Sequence, residues 1–197
     1  HDYIKKLKKI INKKDFGKIK HIKFQRQNFG PIRNDVNAFE DLATHDLSIL
    51  KFLFKKKIEL KNYTKHDVLR HKSGDIISAN FRVNNIPVDI NVSWLNPEKI
   101  RKITIISNKN MLLFDEMNKD EPIQIFNNYA NYPKLSKFTK SYFSQKAFVY
   151  KGRSKKIKLN VKNSLDNEIL DFLNDRKNIS NINFAEDIIR ISNKIIT

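Results

Sequence analysis

The chain is 197 residues long, carries a formal net charge of +18 and contains no cysteine. That length suffices for one large domain or two small ones, and the absence of thiols excludes a disulfide framework and thiolate metal sites and fits a reducing compartment. No apolar run approaches the ~20 residues that a membrane helix requires, and the start, HDYIKKLKK, has no apolar segment of signal-peptide type, so a soluble, cytoplasmic protein is expected. Clustered cations can recruit nucleic acid by releasing phosphate counterions. Here, however, the cations are mostly Lys, spread from Lys5 to Lys194, and the chain is also rich in Asn and Ile. Residues with A/T-rich codons account for that balance, and nucleic acid is not an expected partner.

In chain order, Tyr3 to Asn12 reads as an amphipathic helix, with Ile4, Leu7, Ile10 and Ile11 on one side and lysines on the other. Gly17 suits a turn. In a predicted strand from Lys18 to Gln27, His21, Lys23 and Gln25 alternate with Ile22, Phe24 and Arg26. Asn28-Phe-Gly-Pro-Ile-Arg33 is turn-rich and leads to a helix predicted from Asn34 to Phe54, with Asn34 or Asp35 as its cap. Short runs rich in Ile, Val and Phe follow: Ile58 to Asn62, Val68 to His71, Asp75 to Asn84, Pro87 to Trp94, Arg101 to Ser107, Asn110 to Asp115 and Pro122 to Asn127. Asp75 to Trp94 is predicted to be a hairpin turning at Asn84-Asn85. Tyr129 to Ser154 is polar and aromatic, Lys156 to Val161 reads as one more strand, and helices are predicted from Ser164 to Leu173 and from Phe184 to Ile196. The first of these should turn Ile169, Leu170 and Leu173 inward. Strands that follow one another without intervening helices imply a largely antiparallel or mixed sheet. The expected fold is therefore α+β, a single domain over 1–197, with helices on one sheet face and the other face free.

The helix from Asn34 to Phe54 carries a polar stripe that solubility does not require. Asn34, Asn37, Asp41, His45 and Ser48 recur at i+3 or i+4 and share one face of an ideal helix. Asp41 and His45, one turn apart, are either a surface pair of small energetic consequence or a carboxylate and imidazole available for proton transfer. Other chemistry is missing: the four glycines form no G-x-G-x-x-G or phosphate loop, and the five His show no H-x-x-x-H spacing. No metal is expected. His66 and His71, flanking a short run, read as solvated.

Asp41-Leu-Ala-Thr-His45-Asp46, preceded by Asn28-Phe-Gly-Pro-Ile-Arg33-Asn-Asp-Val-Asn37, resembles the D-x-x-x-H segment in the C-terminal domain of the glucose-fructose oxidoreductase / inositol dehydrogenase (Gfo/Idh/MocA) family. Lys13-Lys-Asp-Phe-Gly17-Lys-Ile-Lys-His-Ile22 is similar to the segment entering that domain. Val92-Ser-Trp-Leu-Asn-Pro97-Glu-Lys99-Ile-Arg101, followed by Met111-Leu-Leu-Phe-Asp115, resembles a hairpin of the branch acting on nucleotide sugars for surface polysaccharides. Ser164-Leu-Asp-Asn-Glu168-Ile-Leu-Asp-Phe172 resembles the closing helix, with Asp171 where many members have His.

The resemblance implies a dihydrodipicolinate-reductase-like C-terminal domain that serves in substrate binding and oligomerisation, residues 1–14 forming the helix that leads out of an N-terminal Rossmann domain. The glycine-rich loop and E-K-P motif of that domain are not in this sequence, so the chain reads as a fragment whose full-length parent would use NAD or NADP. The reaction implied is oxidation of a secondary alcohol of a sugar or nucleotide sugar, with His45 as base, Asp41 orienting it, and Arg33 and Asn37 contacting the substrate. Trp94, Lys99 and Arg101 are expected to be structural or near an oligomer interface. A homo-oligomer formed through the open sheet face is also implied. Two alternatives remain: a non-catalytic basic binding or scaffold module for a polyanion or protein partner, and a degenerate or truncated family member.

Overall fold

The computed structural model describes residues 2–69, 72–131, 147–158, 169, 173 and 182–196. Its elements are α1 (Asp2–Ile11), β1 (Ile19–Phe29), a π-helical turn (Phe39–Ala43), α2 (Thr44–Phe54), β2 (Ile58–His66), β3 (Ile76–Val83), β4 (Ile86–Ser93), β5 (Leu95–Ser107), β6 (Met111–Asp115), β7 (Ile123–Asn131), β8 (Phe148–Ile157) and α3 (Ile182–Ile196). Among the described residues the strands form one eight-stranded sheet in the order β2-β3-β4-β1-β5-β6-β7-β8. Among the described residues only β1 and β4 pair in parallel. This follows from the connectivity: after β1 the chain crosses one face as α2, reaches the β2 edge, and returns through β3 and β4 to lie beside β1. The C-terminal ends of β1 and β4 thus share one end of the sheet with the start of β5, where Phe29 pairs with Leu95.

Alternation along each strand decides which face is covered. Ile22, Phe24 and Arg26 of β1 turn to the same buried side as Val88, Ile90 and Val92 of β4, Ile103 and Ile105 of β5, and Leu112 and Phe114 of β6. The helices close over this side with Leu7, Phe39, Leu47 and Leu50, all fully buried. α1 lays Tyr3 against Phe114 with ring centroids 5.9 Å apart, and its Lys8 donates to the Phe52 carbonyl at 2.5 Å while sitting over the Phe52 ring. α3 contributes Ile188 and Ile195 to the core, whereas Ile189 is exposed.

The opposite sheet face mixes apolar side chains, Ile100, Ile106, Met111 and Leu113, with polar ones that cross-link one another. His21 meets Asp89 at 2.9 Å, Gln27 donates to Asn91 and Asn91 to Ser78, and Lys102 lies 3.3 Å from Asp115. The expected architecture, a mixed sheet with helices on one face, is the observed one. No helix among the described residues is long and apolar enough to cross a membrane.

Several boundaries differ from the sequence reading. The Asn84-Asn85 turn is as predicted, both residues adopting positive φ (48° and 65°), the backbone of a type I′ hairpin. Val68 to His71 is not a strand in its described part; β2 runs on unbroken to His66, and the N–H groups of Val68 and Leu69 donate to the Asp75 carboxylate instead. β5 starts at Leu95, β7 extends to Asn131, and β8 begins at Phe148, earlier than the predicted Lys156. Cross-strand pairing rather than apolar content fixes these ends, as where exposed Phe148 still pairs with Asn131. The central part of the Tyr129 to Ser154 stretch, residues 132–146, and most of the Ser164 to Leu173 helix lie outside the described residues. Of that helix Ile169 and Leu173 are described, and both are exposed rather than turned inward. His66 is exposed as expected, and His71 is outside the described set.

Phe24 has no solvent exposure. Phe24→Ala should therefore cost about 3–5 kcal/mol in denaturant unfolding, while Lys23→Ala, one residue along on the open face, should stay within about 0.5 kcal/mol of the parent.

Candidate active site

The site is built where the chain leaves the end of β1 and enters the helical crossing. The helix does not start at Asn34. Asn37 Oδ1 accepts the N–H groups of Phe39 (2.9 Å) and Glu40 (3.0 Å), and Glu40 Oε2 accepts the Asn37 N–H at 2.9 Å. This reciprocal arrangement satisfies the first free donors of the helix from both sides, and it corrects the expectation that Asn34 or Asp35 is the cap. Asp35 instead takes Arg33 in a forked pair, Nε to Oδ1 at 3.0 Å and Nη2 to Oδ2 at 2.5 Å. The Ala38 N–H donates to the Gly74 carbonyl at 3.0 Å. Gly74 has φ +59°, and a Cβ there would come within 3.0 Å of Asn37 Cβ, so this close approach requires glycine. The loop carrying Gly74 is fixed in turn by Asp75, whose buried Oδ2 also accepts the Ser73 hydroxyl at 2.5 Å.

Phe39–Ala43 winds as a π-turn before α2 proper, so the polar stripe does not follow ideal i+4 spacing. One turn of wider pitch re-aims the side chains within it. Asp41, inside this turn, accepts the Trp94 indole N–H on Oδ2 at 3.0 Å, and its Oδ1 lies 3.7 Å from Arg33 Nη1. Trp94 is fully buried, and a buried indole N–H requires an acceptor. Asp41 therefore fastens the turn to the β4–β5 corner and to the Arg33 loop, and its influence on His45 is electrostatic. Trp94 is structural, as expected. Arg33, Asp41 and His45 converge on this end of the sheet; the Asn37 side-chain oxygen is committed to capping.

His45 lies in the first turn of α2 with part of its surface open to solvent and part covered. Its imidazole is held below its ordinary pKa, first by partial burial, then by the Arg26 and Arg101 guanidiniums; Asp41 and Glu116 act in the opposite direction.

Those neighbours form an ion-pair chain that was not anticipated. Asp46, 2% exposed, accepts both Arg26 Nη2 (2.9 Å) and Nε (3.1 Å) on Oδ1. Arg26 Nη1 lies 3.8 Å from Glu116 Oε2, and Arg101 Nη1 lies 3.4 Å from Glu116 Oε1. Asp46 Oδ2 has no hydrogen-bond partner among the described residues. Burial raises the Asp46 carboxyl above the usual range, with Arg26 opposing. The sequence did contain the signals: Arg26 falls on the apolar phase of β1, and Asp46 is in step with Leu50 and Leu53 on the buried face of α2. Arg101, expected to be structural or near an interface, belongs to this chain. Among the described residues no group of three or more His, Asp or Glu side chains could hold a metal ion.

No family model matches the chain, and no curated protein matches it in sequence. Solved structures do match. UDP-N-acetylglucosamine 3-dehydrogenase GnnA from Acidithiobacillus ferrooxidans superposes with a TM-score of 0.72 at 18% identity, over 99% of this chain and 57% of that one. The dehydrogenase MviM from Clostridium difficile (TM-score 0.66, 14% identity, 98% of this chain and 57% of that one) and an NAD-binding protein from Listeria innocua (0.65, 15%, 95% and 58%) are similar. The chain has the fold of a Gfo/Idh/MocA C-terminal domain. It spans little more than half the length of these Gfo/Idh/MocA oxidoreductases.

Two measurements probe the local construction. Asn37→Ala should lower stability by about 0.5–2 kcal/mol through loss of the cap. Arg26→Met alone should cost about 3–5 kcal/mol by stranding the Asp46 carboxylate, whereas Arg26→Met combined with Asp46→Leu should be near neutral or stabilising; both are read from denaturant midpoints.

Proposed function

We propose that this chain is the substrate-binding and oligomerisation part of an NAD(P)-dependent oxidoreductase that oxidises a secondary alcohol of a sugar, specifically a nucleotide sugar. The observation that carries this reading is the convergence of exposed His45 with Asp41 and Arg33 at one sheet end, in a fold shared with a nucleotide-sugar dehydrogenase. Bound in a companion Rossmann domain, the nicotinamide would accept the hydride from the carbinol carbon. His45 would take the hydroxyl proton: an imidazole held in its neutral form is a competent base near neutral pH. Asp41, tied to Trp94, would keep the turn that leads into His45 in place. Arg33, splayed between Asp35 and Asp41, would present its guanidinium to an anionic part of the substrate such as a diphosphate. Asn37, buried with its side-chain oxygen bonded to the Phe39 and Glu40 N–H groups, would serve the site by capping the helix rather than by touching the substrate. Exposed Phe29, Ile32 and Met117 lie at or beyond the C-terminal ends of β1 and β6, apolar surface suited to contact with a second domain. The open face of the sheet, which carries Ile100, Ile106, Met111 and Leu113 among its polar side chains, would pair with another copy.

A second reading rests on a different surface. A groove of about 610 Å³ between the end of α2 and α3 is lined by Lys55, Lys56, Lys57 and Lys194, with Lys51 and Arg190 paired to Asp187 and Glu186 and apolar residues between them, an excess of cations suited to a polyanion. Polyanion binding that steepens strongly at low salt and is lost on charge reversal at Lys55 and Lys56 would favour it.

In the full-length parent, His45→Ala should reduce kcat by about 10²–10⁴-fold while leaving cofactor binding intact; retained turnover would remove His45 from the mechanism. Because burial and then Arg26 and Arg101 hold the imidazole down, the base form persists to lower pH, and the acid limb of kcat/KM should fall below the ~6.5 of a free imidazole.

A further inference from the structure

β7 continues past Phe126, its last partner on β6, and from Asn128 to Asn131 pairs with Lys151 to Phe148 of β8. This overhang stands at the end of the sheet where Ile19 pairs with Ser107, opposite to the end at Phe29 and Leu95 that carries His45. The register slips once within it. Phe126 faces Ser154 and Asn128 faces Lys151, so β8 carries one residue more than β7 over that interval. Residues three apart on a regular strand point to opposite faces, but a bulge re-aims them, and Tyr150 and Arg153 line the same cleft. Gly152 makes the bulge possible: a Cβ there would lie 2.5 Å from the Asn127 carbonyl oxygen. Its N–H donates to Asn128 Oδ1 at 3.2 Å.

The cleft encloses about 680 Å³, within the range of small-ligand sites. One wall is the stacked pair Tyr129 and Tyr150, with ring centroids 5.0 Å apart and planes at 29°. Tyr150 remains 47% exposed, so ring surface is open to a further flat group. Arg153 and Lys155 stand beside it on β8, and Lys109 of the β5–β6 turn and Asp15 of the loop after α1 form the other side. Among the described residues these three cations have no carboxylate partner, whereas neighbouring Lys156 and Lys158 pair with Glu121 and Asp120. The turn carrying Lys109 is fixed in advance. Ser107 Oγ accepts the N–H groups of Lys109 (3.1 Å) and Asn110 (2.9 Å), and Asn110 Nδ2 donates to the Asp15 and Phe16 carbonyls at 3.0 and 3.1 Å.

We propose that this cleft binds a nucleoside phosphate, at a site separate from the His45 end of the sheet. The open ring of Tyr150 takes the base by stacking, which any base can satisfy. Arg153, with Lys155 and Lys109, takes the phosphate through charge-assisted hydrogen bonds, and Asp15 accepts a ribose hydroxyl. A polyanion without a flat group would leave the tyrosine pair without a role, and a neutral sugar would leave the three cations without one. The volume suits one nucleotide rather than a strand.

Titration of this 197-residue chain with AMP and with UMP, followed by amide NMR shifts, tests the assignment. Both should bind saturably, with the largest shifts at Lys109, Asn127, Tyr129 and Tyr150, and uridine or inorganic phosphate alone should bind more weakly than UMP. Tyr150→Ala should weaken UMP binding roughly 5- to 150-fold and Arg153→Gln about 10-fold or more. Tyr150→Phe, which keeps the ring, should leave binding unchanged, as should Lys55→Glu with Lys56→Glu in the other cationic groove. Tyr150 and Arg153 are exposed, so their variants keep the fold. No saturable binding at millimolar nucleotide, or binding that survives Tyr150→Ala and Arg153→Gln together, overturns the proposal. Binding lost in Arg33→Ala but kept in Tyr150→Ala places the nucleotide at the His45 end and overturns it as well; the reverse pattern supports it, whatever His45→Ala does to turnover. A short single-stranded oligonucleotide that binds far more tightly than UMP would make the occupant a nucleic-acid strand and overturn the single-nucleotide assignment.

Discussion

The Arg26–Asp46 ion pair is the constraint on which the site depends. α2 crosses a sheet face covered mainly by Ile, Leu, Val and Phe, and apolar contacts of that kind tolerate small rotations and slides. A buried ion pair in which two guanidinium N–H groups meet one carboxylate oxygen does not. Fixing Asp46 over Arg26 sets the rotation and height of the first turn of α2, and the residue before Asp46 is then forced outward at the sheet end. A buried pair of this type adds little net stability, since desolvation of both charges offsets their attraction. Its value here is one of register: it decides that His45, rather than a neighbour, is presented.

Two further ties make the arrangement rigid. Asn37 closes the start of the helix with Glu40, and Asp41 joins the π-turn to the buried Trp94 indole. The helix is thus closed at its first residue by its own cap, and tied to Trp94 in its wide turn and to Arg26 at its first regular turn. A base has to be within about 2.6–3.2 Å of the proton it removes, and such anchoring is the usual structural means of meeting that demand.

The fold was largely legible because its signals are periodic. Alternation in β1 and in the Asp75 to Trp94 hairpin, and the turn residues Asn84 and Asn85, specify strands and their faces without reference to partners. What could not be read depends on distant pairing. The strand ends at Leu95 and Asn131 are set by neighbours across the sheet, and Val68 and Leu69, apolar enough for a strand, are held in a turn by Asp75. The start of the central helix was misplaced because Asn34, Asp35 and Asn37 are all competent caps by type, and only the reciprocal Glu40 bond selects Asn37. Asp41 and His45 were picked out by spacing and resemblance and Arg33 by resemblance alone, and of these Arg33 and Asp41 lie 3.7 Å apart. Arg26 and Asp46 were visible as polar residues in apolar phase, yet their partnership is 20 residues apart in sequence and emerges only when β1 and α2 are packed together.

The central claim is that His45 is the base at a carbinol whose hydride leaves for a nicotinamide. The most direct measurement is a crystal structure of the full-length parent with oxidised cofactor and a nucleotide-sugar substrate. The account predicts an imidazole nitrogen of His45 within about 2.6–3.2 Å of the hydroxyl on the carbon that faces the nicotinamide ring, with Arg33 on the anionic end of the substrate. A complex in which another side chain holds that hydroxyl and His45 faces solvent would contradict it.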